Sequence, residues 1–254
     1  MVDLHCHILS GLDDGARSMQ ESLAMAETAI ADGITHVVAT PHASTEYRFD
    51  YAAVTRAAEE LARAVGSRLA LATGCDLHFN PENLAALKRS PSQFCIHQKD
   101  YLLVEFNEFA IPPAVDQTLY EIQLAGIRPI VTHPERNAIL RAGPQRLEKW
   151  IRNGCYAQIT GGSLLGSFGP GALETSLHWI ARGLVHFVAS DAHNTSGRPH
   201  KLRGAYQAVE KQFGRAKAEA LFVDNPLAAF EGRPLPAVPE ILDQPVKKRF
   251  LFFR

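Results

Sequence analysis

Short runs of β-branched and other apolar residues alternate along this chain with Ala-rich segments of helical character. The apolar runs predict seven strands, at residues 2–8, 36–40, 69–73, 101–106, 129–132, 155–160 and 186–190. The other segments predict seven helices, at residues 19–31, 51–65, 81–88, 114–125, 144–152, 171–181 and 202–213. Seven strands, each followed by a helix, indicate an α/β fold with a parallel sheet. This alternation fits a closed barrel and a doubly wound open sheet equally well.

Histidine or carboxylate residues stand at the C-terminal ends of six of the seven predicted strands. These residues are His5, His7, His42, Asp76, Glu105, His133, Asp191 and His193, and Asp14 lies in the loop after the first strand. An open sheet builds its site from the few strands at its switch point, whereas a barrel directs every strand end toward a common centre. The placement therefore favours a β/α barrel with its site at the C-terminal ends of the strands.

The same residues predict a metal centre. His5 and His7 point to the same side of their strand because side chains alternate along it, and Cys6 points to the other side. A single histidine at a strand end is more often a hydrogen-bonded core residue, and a single Asp or Glu often caps the next helix. Independent packing and capping do not explain six coincident strand ends, whereas metal ligation does.

The nine candidate ligands offer imidazole nitrogen and carboxylate oxygen without thiolate sulfur. Such a set suits Mn, Fe(II), Zn or Mg better than a structural zinc site. Nine ligands exceed the need of one ion, so we expect two or three ions and at least one bridging carboxylate. His78 follows Asp76 by two residues and is an alternate ligand if that strand continues. The other histidines do not share this placement and are interpreted as surface or structural residues: His36, His97, His178, His186 and His200.

Composition narrows the functional classes. The 254 residues carry a net charge of -1 without a basic stripe, so nucleic-acid binding is not expected. The four cysteines are widely spaced and form no CxxC pair, which argues against a disulfide framework. None is followed six residues later by Arg, which excludes a cysteine-based tyrosine phosphatase, and GxSxG and P-loop motifs are absent. The chain opens on a predicted strand rather than a signal peptide and has no apolar run of about 20 residues, so we expect a cytoplasmic location.

Five short motifs resemble those of the polymerase-and-histidinol-phosphatase (PHP) superfamily. They are His5-Cys6-His7, Gly11-Leu12-Asp13-Asp14-Gly15, Ala39-Thr40-Pro41-His42, Thr132-His133-Pro134-Glu135-Arg136-Asn137 and Ala189-Ser190-Asp191-Ala192-His193. Within this superfamily, the Asp-Asp-Gly-Ala and His-Pro-Glu-Arg-Asn blocks look most like the bacterial capsule and exopolysaccharide tyrosine phosphatases. The resemblance covers the chain from its first residue to the region of residue 200.

The resemblance implies a distorted, TIM-like, seven-stranded β/α barrel over residues 1–232. It also implies a trinuclear site that is commonly loaded with manganese, with Fe, Zn, Co and Mg as alternatives. The first ion would take His5, His7, Asp76 and Asp191, the second Asp76, Glu105 and His133, and the third Asp14, His42 and His193. Arg136 and Arg198 match family arginines that hold the phosphate. Asp76 is a departure, because family members usually carry Glu as the bridging ligand at this position.

The resemblance further implies an activity, the attack of a metal-activated hydroxide on phosphotyrosine. The substrate would be the Tyr-rich tail of a bacterial tyrosine autokinase in capsule or exopolysaccharide synthesis. One alternative is a small-molecule phosphatase, such as histidinol phosphatase, on the same barrel. The other is a metal-binding regulatory protein without catalysis, and the intact set of ligands and arginines speaks against it.

The C-terminal tail, residues 233–254, differs in composition from the rest of the chain. Residues 233–239 are Pro-rich and predict an extended segment, and residues 246–254 combine basic with aromatic side chains. A tail packed over the barrel is the favoured interpretation, because exposed apolar patches are uncommon. Contact of the tail with an anionic membrane is the alternative.

Overall fold

A computed structural model describes residues 1–107 and 109–243 of the chain. Its strands are β1 (Val2–Cys6), β2 (His36–Ala39), β3 (His42–Ala43), β4 (Ala70–Thr73), β5 (Asp76–His78), β6 (Tyr101–Glu105), β7 (Arg128–Thr132), β8 (Tyr156–Thr160) and β9 (Phe187–Ala189). Its α-helices are α1 (Met19–Ala31), α2 (Tyr51–Val65), α3 (Pro81–Arg89), α4 (Val115–Leu124), α5 (Ala138–Ala142), α6 (Pro144–Arg152), α7 (Gly161–Leu164), α8 (Gly169–Ala181), α9 (Arg203–Phe213), α10 (Arg215–Glu219) and α11 (Asn225–Glu231). Strands and helices alternate along most of the chain, which confirms the predicted α/β class.

The strands form two parallel sheets rather than one continuous sheet. The first has the order β1-β2-β4, and the second has the order β3-β5-β6-β7-β8-β9. The strand predicted at residues 36–40 ends at Ala39, and Pro41, which has no N–H to donate to a neighbouring strand, separates β2 from β3. Gly74 and Cys75 separate β4 from β5, although the N–H of Gly74 still donates to Ala39 O (2.9 Å). The described chain therefore has nine strands where the sequence predicts seven, and β3 and β5 lie beyond the ends of the predicted strands at residues 36–40 and 69–73.

The segment that follows β9 lies beside β1. Cys6 and Ala192 form an isolated parallel bridge. The backbone N–H of His7 donates to Ala192 O, and that of Asp191 donates to His5 O, both over 2.8 Å. The ends of the first and last strands are therefore neighbours, although they are far apart in the sequence.

The side chains of β6 show how the core is divided. Leu102 and Val104 belong to a large apolar cluster between the strands and the helices. Tyr101 and Leu103 belong to a smaller cluster among the strands, to which α11 also contributes. Glu105 continues the face of Tyr101 and Leu103, because alternate side chains of a strand share a face. The polar ends of the strands therefore lie next to an apolar core.

Most helices begin and end close to their predicted positions, and α1, α2 and α6 have the predicted bounds. The side chains of Ser18, Asp50 and Asn80 accept hydrogen bonds from backbone N–H groups in the first turns of α1, α2 and α3. The sequence does not predict α5, α7, α10 and α11, which have between four and seven residues. Such short helices contain too few turns to show a helical period.

The described part of the C-terminal tail, residues 233–243, contacts the rest of the chain. The backbone N–H of Ala237 donates to Asn225 Oδ1 (3.1 Å), and that of Leu242 donates to Arg182 O (3.0 Å). Leu235 is buried in the smaller apolar cluster. The domain boundary after residue 232 stays a prediction, and the basic-aromatic end with its suggested membrane contact falls on residues 244–254, outside the described ranges. Across the described ranges, the helices are too short or too polar to cross a membrane.

Candidate metal centre

The structure brings all nine predicted ligands together; most follow the ends of strands, whereas His42 and Asp76 begin the short strands β3 and β5. Asp191 lies at the junction of β1 and β9, and its Oδ1 is 3.5 Å from His5 Nε2 and 3.4 Å from His7 Nε2. The two imidazole Nε2 atoms are 3.3 Å apart, and the three side chains are buried. One carboxylate oxygen therefore faces both histidines of the His5-Cys6-His7 motif.

A second part of the site surrounds Asp14, in the loop after β1. Its Oδ1 lies 3.5 Å from His42 Nε2 and 3.4 Å from His193 Nε2. The rings of His7 and His193 are also close, with centroids 3.9 Å apart. Asp14 is the more exposed partner, with 45% of its side chain accessible, so this part of the site faces the solvent.

A third part surrounds Asp76, at the start of β5, and Glu105, at the end of the neighbouring strand β6. Asp76 Oδ2 lies 3.2 Å from His42 Nδ1 and 3.6 Å from His5 Nε2. Glu105 Oε1 lies 3.7 Å from His133 Nε2. Since its two ring nitrogens face different carboxylates, His42 stands between the second and third parts.

The nine predicted ligands are called the ligand ring below. Several buried atoms in this ring or next to it have no hydrogen-bond partner within the described ranges: His42 Nδ1, Asp76 Oδ2, His78 Nε2, Glu105 Oε2 and His193 Nε2. Buried polar atoms without partners are rare in native proteins, and a cation is one explanation for them. Ligands that bind one ion at 2.0–2.2 Å lie roughly 3–4 Å from one another, the range in which most of these contacts fall. Three groups of residues offer ligand atoms that lie within 4.8 Å of one another: His7, Asp14, His42 and His193; His42, Asp76, His78 and Glu105; and His5, His7 and Asp76. The donors therefore fit divalent cations.

Two further side chains orient the first histidines. Asp13 Oδ2 lies 2.6 Å from His7 Nδ1, and Gln158 Oε1 lies 2.9 Å from His5 Nδ1. Such partners fix the ring and leave Nε2 free for a metal ion. The sequence interpretation did not assign these roles, although the Asp13-Asp14 pair was a signal for the first. A Cβ atom on Gly15 would lie 2.1 Å from His7 O, so the turn that carries Asp13 requires glycine.

The backbone is strained at two of the predicted ligands. His133 has φ 32° and Asp191 has φ 54°, in the left-handed region that non-glycine residues rarely adopt. The N–H of Ser190 donates to Asp3 Oδ1 (2.9 Å), and buried His200 also contacts Asp3 (2.9 Å), which helps to hold the segment around Asp191. Strain of this kind clusters at functional sites, where the surrounding structure maintains it.

Burial and neighbouring charges perturb the ionisation of the site. Burial and the charge of Glu105 raise the pKa of Asp76 to about 8. Burial also opposes ionisation of Glu105, but His78 and His133 outweigh it and hold the Glu105 pKa well below its usual value. Burial lowers the pKa of His42 to about 4 and that of His133 to about 3, so both rings are neutral at pH 7 and have a free lone pair. The raised pKa of Asp76 means that a cation that binds here competes with a proton on this carboxylate.

The two predicted phosphate-binding arginines lie at the rim of the ring. Arg136 Nη1 and Arg198 Nη2 both donate to Asp191 Oδ2, the latter over 2.5 Å. The Arg136 guanidinium also lies over the ring of Phe168, 4.4 Å from its centroid, a contact that sequence reasoning missed. Arg198 Nε is buried and has no hydrogen-bond partner in the described part of the chain. Both guanidinium groups can therefore present N–H donors to an anion above the site.

His78, which the sequence indicates as an alternate ligand, lies next to the predicted ligands. It ends β5, and its Nε2 lies 2.5 Å from Glu105 Oε2. The other histidines make different contacts; for example, His97 contacts Phe230 O and His186 accepts from the N–H of Ala157.

Comparison with known sequences identifies related proteins over nearly the whole chain. Residues 1–231 match the family described as capsular polysaccharide synthesis, CpsB/CapC. The tyrosine-protein phosphatase YwqE of Bacillus subtilis (strain 168) is 34% identical over 260 aligned positions, which cover 99% of each chain. The tyrosine-protein phosphatase CpsB of Streptococcus pneumoniae is 30% identical over 236 positions, which cover 89% of this chain and 96% of the relative.

Comparison with solved structures identifies the same relatives as the sequence comparison. A chain from a study of YwqE from Bacillus subtilis and CpsB from Streptococcus pneumoniae, described as unique metal-dependent tyrosine phosphatases, matches with a TM-score of 0.88 and 34% identity. The match covers 98% of this chain and 100% of that one. The lactonase Lmo2620 of Listeria monocytogenes matches with a TM-score of 0.56 and covers 92% of this chain and 95% of its own. At 13% identity, this second likeness concerns the fold alone.

Replacing Asp13, the carboxylate next to His7 Nδ1, tests whether it orients His7 for metal binding. We expect Asp13→Asn to weaken metal binding by about 10- to 100-fold, the usual loss when a partner of a metal-binding histidine is removed. Isothermal titration of the metal-stripped protein with Mn²⁺ measures it. Asp224→Asn, which removes an exposed carboxylate, is the matched control. Wild-type affinity in Asp13→Asn would show that Asp13 does not support the site.

Proposed function

We propose that this chain, which belongs to the CpsB/CapC family of capsular polysaccharide synthesis, is a metal-dependent tyrosine-protein phosphatase. One observation carries the proposal: buried nitrogen and oxygen atoms without partners in the described residues surround a common space, and two arginines stand at its rim. The names of the relatives supply the reaction, since YwqE and CpsB are tyrosine-protein phosphatases.

We assign the nine residues to three ions. His5, His7, Asp76 and Asp191 would hold the first; Asp76, Glu105 and His133 the second; and Asp14, His42 and His193 the third. The contacts of Asp191 with His5 and His7, and of Asp14 with His42 and His193, support the first and third groups. Manganese is the proposed resident metal, because imidazole and carboxylate donors without thiolate suit it. When bound, such cations supply Lewis acidity toward the phosphate and a water of lowered pKa.

The fold that positions these residues is inferred to be one interrupted seven-stranded barrel. In this interpretation β2 continues into β3 and β4 into β5, and each break shifts the second half into the other sheet. Two observations support it: consecutive strand positions pair in parallel, and the Cys6–Ala192 bridge joins the last strand position to the first. A closed ring brings all strand ends to one centre, as a site made from nearly every strand requires.

The arginines bind and orient the phosphate in this proposal. A guanidinium donates forked hydrogen bonds that match phosphate oxygens, which a lysine does not reproduce. Arg136 and Arg198 both donate to Asp191 Oδ2, so they stand next to the first ion's ligands. The phenolate leaving group of tyrosine has a pKa of about 10 and needs little help from an acid.

The proposed physiological substrate is a phosphotyrosine protein, the Tyr-rich tail of a bacterial tyrosine kinase in capsule or exopolysaccharide synthesis. The family description and the names of the relatives support this choice. Such a substrate places the reaction in the cytoplasm, as expected from the sequence.

A comparison of substrates tests the proposed activity. The purified protein is stripped of metal, loaded with Mn²⁺, Fe²⁺, Co²⁺ or Zn²⁺, and assayed on a phosphotyrosine peptide, histidinol phosphate and nitrophenyl phosphate. We expect kcat/KM to be highest for the phosphotyrosine peptide and activity to disappear with a chelator. Faster turnover of histidinol phosphate would favour a small-molecule phosphatase, and no turnover with any metal would favour a regulatory protein.

Removing one arginine tests phosphate binding separately from metal binding. We expect Arg136→Ala to lower kcat/KM for the peptide by about 10- to 100-fold, because a hydrogen bond to a charged group contributes roughly 1.5–3 kcal/mol. Metal content measured by mass spectrometry should stay at the wild-type level. Arg152→Ala, which removes an exposed arginine that pairs with Glu148, is the control. Wild-type kcat/KM in Arg136→Ala would remove Arg136 from the site.

A further inference from the structure

Position 76 carries a carboxylate one methylene shorter than the Glu that the resemblance leads one to expect. Asp76 is fully buried, and its Oδ2 has no hydrogen-bond partner among the described residues. A shorter side chain on the same backbone reaches less far into the site. The ion between Asp76 and Glu105 would therefore be held less completely unless another donor approaches it.

His78 is placed to be that donor. β5 pairs with β6 so that Asp76 is opposite Leu103 and His78 is opposite Glu105. Asp76 and His78 share one face of β5 because they are two residues apart. His78 Nε2 reaches to 2.5 Å from Glu105 Oε2, on the side of the carboxylate away from His133.

The backbone around His78 is fixed. Asn83 Nδ2 donates to His78 O (2.9 Å) and to Ala43 O (2.6 Å), so the end of β5 is tied to the neighbouring strand β3. Asn83 itself lies in the first turn of α3, whose N-cap is Asn80. The backbone that carries His78 is therefore held in place.

We propose that His78 is a further ligand of the ion that Asp76 and Glu105 hold, and that it compensates for the short Asp76 side chain. The inference rests on the proposed function, because it concerns an ion of that site. It adds a donor to the nine residues assigned above.

An ion pair between His78 and Glu105 is the competing explanation. It predicts an aligned hydrogen bond, yet His78 Nε2 and Glu105 Oε2 both lack a hydrogen-bond partner within residues 1–107 and 109–243. His42 Nδ1 lies 3.2 Å from Asp76 Oδ2 and 3.5 Å from Glu105 Oε2, and each of the four residues offers one ligand atom within 4.8 Å of the others. Ligand atoms of four residues that converge on one space, with His42 Nδ1, Asp76 Oδ2, His78 Nε2 and Glu105 Oε2 all unpartnered among the described residues, are the arrangement expected of a cation site.

Metal binding to His78→Ala tests the proposal directly. The full-length variant and the wild type are stripped with a chelator and titrated with Mn²⁺ by calorimetry, and bound metal is counted by mass spectrometry. We expect one ion to bind at least about tenfold more weakly, the loss that even an indirect partner of a metal ligand causes. The visible spectrum of the Co²⁺ form should also change, since one nitrogen donor is lost. His178→Ala, an exposed histidine on α8, is the matched control.

A second variant separates ligation from a structural role. Asp76→Glu restores the longer carboxylate, so His78→Ala should weaken metal binding less in that background than in the wild type. An equal loss in both backgrounds would overturn the compensation. Unchanged ion count, affinity and Co²⁺ spectrum in His78→Ala would overturn the ligand assignment and leave the proposed function intact. Failure of the wild type to bind any cation would overturn both.

Discussion

The burial of ionisable groups against an apolar core is the constraint on which this structure depends. Asp76 and Asp191 are inaccessible to solvent, Glu105 adjoins Asp76, and the strands behind them carry Tyr101 and Leu103. Burying carboxylates is unfavourable unless their charge is compensated. In the metal-free chain, burial and the nearby charge of Glu105 therefore raise the pKa of Asp76. A divalent cation resolves it, because it replaces a proton and gives every converging donor a partner.

Several irregular features of the fold lie at the predicted ligands. Pro41 directly precedes His42, and Gly74-Cys75 precedes Asp76, so these breaks place both residues at the start of short strands in the second sheet. Two of the four non-glycine residues with positive φ in the described chain, His133 and Asp191, are also predicted ligands. Regular strands would be more stable locally, so these departures indicate that ligand placement, and not strand pairing, determines the backbone here.

The sequence predicts the nine candidate ligands but not the side chains that orient them. Strand ends are visible in a sequence because apolar runs stop at polar residues, and in parallel strands those ends meet at one edge. The partners of the histidines are less visible: Gln158 lies in the middle of β8, 153 residues from His5, and contacts it only because the fold brings β8 close to β1. The sequence places Asp13 in a motif without indicating that it orients His7. It indicates His78 only as an alternate ligand, because the position of its side chain depends on whether the strand continues past Asp76.

Anomalous diffraction from crystals of the full-length protein grown with Mn²⁺ tests the central claim most directly. The proposed site predicts strong anomalous peaks enclosed by the nine residues, each within about 2.0–2.3 Å of imidazole nitrogen and carboxylate oxygen atoms. The absence of anomalous density inside this ring, with Mn²⁺ bound elsewhere or not at all, would contradict it.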